Sequence, residues 1–209
     1  MKRVLSAVAA GLFGVFVSGA ALSATVPPGS MTVAARPASG GVVVLLRGGL
    51  NIFSTGMDEL AKKLRAAGFD ATSYGHADWE RLAAEARDRY KKTKKPFVLI
   101  GHSWGALAAI LLADELQKSN TPVDLMILYD TTETVKIPTN VRRVVNFNSS
   151  TTIGLGLTVT GRSGFQGRID NIDVPEFGHL DMDNAAPLHT RSINEVRKVI
   201  KPGARVAGH

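Results

Sequence analysis

The sequence contains no cysteine, and this absence excludes two kinds of structure. A disulfide framework cannot form, even if the protein is exported to an oxidising compartment. A lipoprotein anchor, which requires a cysteine for acylation, is excluded as well. The length of 209 residues is sufficient for one domain with a sizeable core and too short for two ordinary domains.

The chain also lacks the sequence motifs of dinucleotide-binding and metal-binding sites. Gly48 and Gly49 are adjacent, but the third glycine and the ribose-binding acid of a dinucleotide fingerprint are missing. The histidines and acids between residues 179 and 189 come without a cysteine or a second ligand cluster. Aromatic residues do not alternate with the basic ones, so a nucleic-acid partner is not expected. We predict no cofactor and no metal.

The first residues have the layout of a secretory signal peptide. Lys2 and Arg3 precede an apolar stretch over residues 4–22, and small residues and Pro27-Pro28 follow it. The alternative is a retained membrane anchor, since the apolar stretch is close to the length that spans a bilayer. We expect cleavage, because no basic stop-transfer cluster follows the stretch.

Cleavage after Ser23 or after Ala21 meets the requirement for small residues at the cut. We therefore divide the chain into a signal peptide (1–23), a linker or lead-in (24–41) and one domain (42–209). This division predicts a soluble protein that is exported and is periplasmic or secreted after cleavage of the signal peptide.

The formal net charge is +7, and basic residues are concentrated in residues 91–95 and 191–205. The simplest interpretation is a solvated loop and the outer face of a last helix. The alternative is a weak association with an anionic membrane surface.

The rest of the chain is organised around residues 97–115. An apolar run of strand length, 97–100, leads directly into Gly101-His102-Ser103-Trp104-Gly105, and alanines and leucines then recur at helical spacing. This order of strand, tight turn and helix fits the G-x-S-x-G nucleophile elbow, in which a strained serine presents its hydroxyl above a sheet. Ser103 is expected at a helix N-terminus, where free N–H groups favour a developing negative charge.

With its flanking strand and helix, this motif resembles that of the α/β-hydrolase superfamily, and it is most similar to the small thioesterase and lipase-type members. The resemblance extends over about residues 42–200. It implies a minimal α/β hydrolase without a cap domain, with an open site and the 149–167 loop as a flap.

The alternation of strand and helix patterns predicts an α/β fold on its own. We expect a doubly wound, mostly parallel sheet of about six strands with helices on both faces. A small hairpin at residues 155–160 is expected within the 149–167 loop. The strands are predicted at 42–46, 69–74, 97–100, 123–129, 141–147 and 168–174, and the helices at 57–67, 78–90, 104–118 and 188–200.

A serine nucleophile needs a base and an acid, and the resemblance implies the chain order serine, acid, histidine. His179 stands in a glycine-containing loop directly after the last predicted strand, where the family places its histidine. His189 is the alternative base, although its position favours an ordinary helix-surface residue. The remaining histidines lie before the elbow, inside it or at the terminus: His76, His102 and His209.

Asp130 is the predicted acid. It stands at the carboxyl end of the strand after the elbow helix, where thioesterase-type members carry their acid and where α/β sites generally lie. Many relatives carry the acid one strand later, but residues 147–150 contain no carboxylate. Asp181 and Asp183 follow the histidine and break the order. The competing acids are Glu133, Asp170 and Asp173.

The resemblance also implies an oxyanion hole with two backbone donors. One is the N–H of Trp104, the residue after the nucleophile. The other comes from the loop after the first strand, where Gly49 and Leu50 both qualify and the choice stays open.

The sequence therefore predicts an exported serine hydrolase that cleaves a carboxylic ester or lipid ester through an acyl-enzyme on Ser103. A thioesterase acting on acyl thioesters is the first alternative. The second is a non-catalytic binding protein of the cell envelope on a hydrolase scaffold. The expected partner is a small-molecule or lipid acyl ester, and the expected oligomeric state is a monomer.

Overall fold

The architecture comes from a computed structural model, which describes residues 40–49, 55–151 and 155–203. The expected signal peptide, 1–23, lies outside the described residues, as does the lead-in up to residue 39. Within the described ranges, no helix combines the length and the apolar character that crossing a membrane requires.

Within the described residues, eight strands and four α-helices follow one another. The predicted strands and long helices are all present, with boundaries that differ by a few residues. The described residues also include short 3-10 helices at His76–Asp78 and Met182–Asn184. The strands are β1 (Val42–Arg47), β2 (Asp70–Gly75), β3 (Phe97–His102), β4 (Leu125–Tyr129), β5 (Lys136–Ile137), β6 (Arg143–Asn148), β7 (Thr160–Gly161) and β8 (Arg168–Asp173). The helices are α1 (Gly56–Ala66), α2 (Trp79–Thr93), α3 (Trp104–Gln117) and α4 (Ala186–Val199).

Six strands form one parallel sheet in the order β2-β1-β3-β4-β6-β8. The central strands β3 and β4 are apolar and buried along their whole length, as expected where helices cover both faces. The two edge strands are more polar, and β8 reads RIDNID with partly exposed residues throughout. Polar edges discourage pairing with another chain.

The helices cover the sheet on both faces, and the core is accordingly divided into two layers. Val43 and Leu45 of β1 point into the layer under α1 and α4, whereas Val44 and Leu46 point into the layer under α2 and α3. The predicted doubly wound, six-stranded α/β fold is therefore confirmed. In α1, the buried residues Met57, Leu60, Ala61 and Leu64 form the single apolar face that helical spacing predicts.

The predicted hairpin at residues 155–160 is wrong. Thr160 and Gly161 form β7, which pairs in parallel with β5 in a separate two-stranded sheet. Two asparagine side chains of the main sheet hold the preceding backbone. The Asn171 amide exchanges hydrogen bonds with the N–H and carbonyl of Val159, and the Asn146 amide donates to the carbonyl of Leu157. Side chains thus satisfy the backbone groups that a hairpin would have paired.

The two elbow glycines are required by close backbone contacts. A Cβ atom on Gly101 would overlap the backbone of Gly105, and a Cβ atom on Gly105 would overlap the carbonyl oxygen of Leu46. The first turn of α3 thus lies directly against the end of β1, and only glycine allows this approach.

We predict that Gly105→Ala lowers the free energy of unfolding by about 1–3 kcal/mol, because backbone has to move to make room for the methyl group. Urea denaturation followed by circular dichroism measures this change. Gly40→Ala is the matched control, since its Cβ meets its nearest neighbour, the Lys201 carbonyl oxygen, at an ordinary 3.4 Å. Equal stability of the two variants would show that the elbow does not need glycine at position 105.

Candidate active site

Ser103 occupies the turn between β3 and α3 in a strained backbone conformation. Its φ of 57° and ψ of −124° are unusual for a residue with a side chain. The strain is held by the surrounding structure, since the Ser103 N–H donates to the Tyr129 carbonyl at 3.0 Å. The turn places Ser103 at the carboxyl edge of the sheet and at the N-terminus of α3.

The structure brings Ser103, His179 and Asp130 together. The His179 Nε2 atom lies 3.0 Å from the Ser103 Oγ atom, and the His179 Nδ1 atom lies 2.7 Å from the Asp130 Oδ2 atom. An ionised carboxylate can only accept hydrogen bonds. The His179 Nδ1 atom therefore carries a proton and donates the hydrogen bond to Asp130. The Nε2 atom of the neutral ring is then the acceptor for the serine hydroxyl proton.

Asp130 is fully buried and its carboxylate is held by several donors. The N–H groups of Leu155 and Ser149 donate to it at 3.0 and 3.4 Å, in addition to His179. Burial by itself raises the pKa of Asp130, but the hydrogen bonds, above all that from His179, outweigh burial and lower it below its ordinary value. Asp130 is therefore ionised at neutral pH.

The acids that compete with Asp130 for the role of the triad acid form no hydrogen bond with His179 in the structure. Asp170 pairs with Arg143 at 2.8 Å, and Asp173 accepts the N–H and hydroxyl of Ser150. Glu133 is exposed. Of the carboxylates considered from sequence, Asp130 is the one whose oxygen lies within hydrogen-bonding distance of His179.

His102, inside the elbow, supports the backbone of His179. It is buried, its Nε2–H donates to the His179 carbonyl at 2.8 Å, and the two rings lie 5.0 Å apart. Burial lowers the pKa of His102 to about 4, although the hydrogen bond to the His179 carbonyl opposes this effect. His102 is therefore a neutral donor at physiological pH.

The expectation that His189 lies on a helix surface is wrong. The side chain is buried, and it connects the Lys63 ammonium to the Asp183 carbonyl oxygen, at 3.0 and 2.5 Å respectively. The helical spacing of α4 could not show this, because the residues that cover His189 come from α1 and from the turn before α4.

The two loops expected to supply oxyanion donors are close to each other. A Cβ atom on Gly49 would lie 3.8 Å from the Trp104 ring, an ordinary contact. The Trp104 side chain is half-exposed at 49%, and the His76 ring packs edge-on against it at 5.6 Å. Leu50, the other candidate donor, lies outside the described residues.

Arg47, at the end of β1, forms an ion pair with Asp58 of α1 at 3.1 Å. A cavity of about 510 Å³ lies elsewhere, between α2 and the face formed by β1 and β2. Ser103, Asp130 and His179 do not line it. Among the described ranges, no group of three or more acidic or histidine side chains is placed to hold a metal ion.

Comparison with known proteins agrees with the fold. The model of the thioesterase domain family matches residues 53–144, a range that includes Ser103 and Asp130 but not His179. No curated protein matches the chain in sequence.

Three solved structures share the architecture. RedJ, a thioesterase of Streptomyces coelicolor, is 12% identical, with a TM-score of 0.50 over 78% of this chain and 95% of RedJ. Human thioesterase 2 is 14% identical, with a TM-score of 0.50 over 77% and 97% of the two chains. Est1E of Butyrivibrio proteoclasticus is 11% identical, with a TM-score of 0.50 over 78% and 88%.

At these identities the structural likeness establishes the fold, and the domain match adds a family relationship for the segment that contains the elbow. Together they show that the chain has the fold of the α/β hydrolases and that its segment 53–144 is similar to the thioesterase domain.

We predict that His102→Gln reduces the loss of stability on acidification. The unfolded chain binds a proton at His102 near pH 6.5, but the folded chain binds it only near pH 4. His102 therefore contributes stability that is fully present above pH 6.5 and is lost as the pH falls towards 4, by at most about 3 kcal/mol. Glutamine keeps an N–H donor and does not titrate.

Urea denaturation of both proteins at pH 7.0, 5.5 and 4.0 measures the difference. The contribution of every other titrating group is common to the two proteins and cancels in the comparison. Parallel stability curves would contradict the assignment of His102 as a buried neutral donor.

Proposed function

We propose that the chain is an exported serine hydrolase that cleaves a carboxylic ester, including lipid esters, through an acyl-enzyme on Ser103. The observation that carries the proposal is one continuous hydrogen-bond chain, from the buried Asp130 carboxylate through His179 to the Ser103 hydroxyl. In this proposal Asp130 is the acid that orients the base, His179 is the base, and Ser103 at its strained turn is the nucleophile.

In the first step, the Ser103 Oγ atom attacks the ester carbonyl carbon while His179 Nε2 takes the hydroxyl proton. The carbonyl oxygen becomes an oxyanion, which the Trp104 N–H and a second N–H from Gly49 or Leu50 stabilise. The positive charge that develops on the His179 ring is stabilised by the Asp130 carboxylate. His179 then gives its proton to the leaving alcohol as the carbon–oxygen bond breaks, and Ser103 is left acylated.

In the second step, water replaces the alcohol. His179 takes a proton from the water molecule while the water oxygen attacks the acyl carbon, and a second oxyanion forms in the same hole. Its collapse breaks the bond to Ser103, to which His179 returns the proton. The carboxylic acid leaves and the resting enzyme is restored.

The surface around the triad supports an acyl substrate. Trp104 follows Ser103, Leu180 follows His179, and the Leu155 N–H binds Asp130. These three residues are 49%, 58% and 45% exposed, although large apolar side chains are usually buried. Exposed apolar groups beside a reacting centre favour substrates with a hydrocarbon chain.

A thioesterase is the second candidate, and the match of residues 53–144 to the thioesterase domain family favours it. The position of Asp130 directly after β4 agrees with the acid position of thioesterase-type members. The same residues serve both reactions, and only the leaving group differs. We rank the ester first, because thioester substrates belong mainly to the cytoplasm and the N-terminal sequence indicates export.

We predict that Ser103→Ala and His179→Ala each lower kcat by about four orders of magnitude or more. Asp130→Asn is expected to lower kcat by about 10⁴, because an amide at this position favours the wrong tautomer of His179. Hydrolysis of p-nitrophenyl esters by the purified mature protein measures these effects. Asp170→Asn is the matched control, since it makes the same change at a competing acid that pairs with Arg143 instead of His179.

The control is expected to keep kcat within about threefold of wild type, as for residues remote from a reacting centre. Turnover by Ser103→Ala at the wild-type rate would contradict the nucleophile assignment. A wild-type protein that hydrolyses neither esters nor thioesters would favour the non-catalytic binding protein.

The choice between ester and thioester is tested with one enzyme and two substrate series. We predict a higher kcat/KM for p-nitrophenyl esters of medium or long acyl chains than for acyl-CoA thioesters of the same chain length. The reverse preference would replace the first candidate by the second without changing the roles of the three residues.

We also predict that export removes the N-terminal segment. The intact mass and the N-terminal sequence of the protein recovered from a periplasmic fraction are expected to show a chain that begins at Ala24, after cleavage behind Ser23, or at Leu22, after cleavage behind Ala21. A chain that retains Met1 and sediments with membranes would support the anchor instead.

A further inference from the structure

Asp183 is a buried carboxylate that the proposed reaction does not use. Its side chain is fully buried, in the turn Met182–Asn184 that follows His179. Asp183 comes after the histidine and so breaks the order of serine, acid and histidine that the resemblance implies. A buried carboxylate is stable only with hydrogen-bond donors around it, so its partners indicate its role.

The Asp183 carboxylate binds the first turn of α1. Its Oδ2 atom accepts the N–H of Gly56, the first residue of α1, at 3.0 Å. A negative group at this position also interacts favourably with the helix dipole. The two backbones touch as well, since a Cβ atom on Gly56 would overlap the Asp183 carbonyl. The turn after His179 is therefore fixed to the amino end of α1.

The amino end of α1 is close in sequence to the segment expected to complete the oxyanion hole. That segment leaves β1 at Arg47 and contains Gly49, beside the Trp104 ring. The Asp183–Gly56 hydrogen bond thus connects the loop that carries the base with the helix that follows the oxyanion segment.

The backbone of Asp183 is held from a second direction. Its carbonyl oxygen accepts the Nε2–H of His189 in α4, and the Nδ1 atom of His189 accepts a proton of the Lys63 ammonium in α1. Burial lowers the pKa of His189, which favours the neutral ring that this arrangement requires. On the other side, His102 holds the carbonyl of His179 at 2.8 Å.

The charge state of Asp183 is compatible with this role. Burial raises the pKa of Asp183 to about 6, while the Gly56 N–H and the nearby His179 oppose that rise and Asp181 adds to it. At pH 7 and above, Asp183 is mainly ionised and is a strong acceptor for the helix N–H group.

We propose that Asp183 is a positioning residue for His179. By binding the Gly56 N–H, it fixes the turn that carries the imidazole and keeps the Nε2 atom within hydrogen-bonding distance of Ser103. The proposal rests on the proposed function, since it takes His179 as the base. Asp183 does not touch the reacting atoms and acts only through His179.

Three variants test the proposal. Asp183→Ala removes the acceptor of the Gly56 N–H, whereas Asp183→Asn keeps an oxygen acceptor without the charge. Asp124→Ala is the matched control, because the Asp124 carboxylate also accepts a backbone N–H, that of Phe97 at 2.9 Å, but at the amino end of the sheet. Denaturation curves identify a temperature at which all variants are folded.

With a p-nitrophenyl ester, Asp183→Ala is expected to lower kcat by about 10- to 100-fold while KM changes by less than about threefold, because a base displaced by about 1 Å transfers protons poorly. Asp183→Asn is expected to restore kcat to within about threefold of wild type, since the hydrogen bond is kept. Asp124→Ala is expected to lose stability but to keep kcat. Wild-type kcat in folded Asp183→Ala overturns the proposal.

A second measurement does not depend on turnover. The proton on His179 Nδ1, bonded to Asp130 at 2.7 Å, is expected to give a downfield proton NMR signal that His179→Gln removes. We expect this signal in wild type, Ser103→Ala, Asp183→Asn and Asp124→Ala, and its loss or fast exchange in Asp183→Ala. An unchanged signal in Asp183→Ala overturns the proposal.

The two measurements separate the two hypotheses. If wild type shows the signal but no hydrolysis, the proposed function fails, and the effect of Asp183→Ala on the signal still decides whether Asp183 positions His179. If hydrolysis requires Ser103 and His179 but is equally fast in Asp183→Ala, the function stands and the positioning role is overturned.

Discussion

The hydrogen bond between His179 and Asp130 is the interaction on which the site depends. It joins a turn after β8 to the exit of β4, and its 2.7 Å length and buried acceptor hold the imidazole in one tautomer and one orientation. Without it, the Ser103 turn would be a strained bend with no base beside it. The backbone N–H groups of Ser149 and Leu155 add to the effect of His179 in lowering the pKa of the buried Asp130 carboxylate, which stays ionised at neutral pH.

The strand order and a few close backbone contacts fix the arrangement of the site residues. The parallel order β1-β3-β4-β6-β8 brings the carboxyl ends of five strands to one edge. Gly49, Ser103, Asp130 and His179 all lie in the turns and loops that follow those ends. Gly105 allows α3 to touch the end of β1, which places Trp104 beside Gly49. His102 and Asp183 then hold the backbone on either side of the His179 ring.

The sequence was sufficient for the fold and for the arrangement of the three site residues, because both depend on local patterns. The elbow lies within five residues, and an apolar run marks the strand exit that carries Asp130. The position of His179 came from the resemblance to the α/β hydrolases, since β8 itself is polar. The parts that failed depend on distant partners. His189 is buried by α1, and the 155–160 segment is held by Asn146 and Asn171 of the main sheet. The role inferred for Asp183 likewise needs Gly56, which no spacing along the chain connects to it.

Covalent labelling tests most directly whether Ser103 is a nucleophile that His179 activates. The purified protein is treated with a fluorophosphonate, and intact-mass and peptide mass spectrometry locate the adduct and give its rate of formation. We expect one adduct, on Ser103, formed at least about 100-fold more slowly when His179 is replaced by alanine. No adduct on the wild-type protein, or an adduct on Ser103 that forms equally fast without His179, would contradict it.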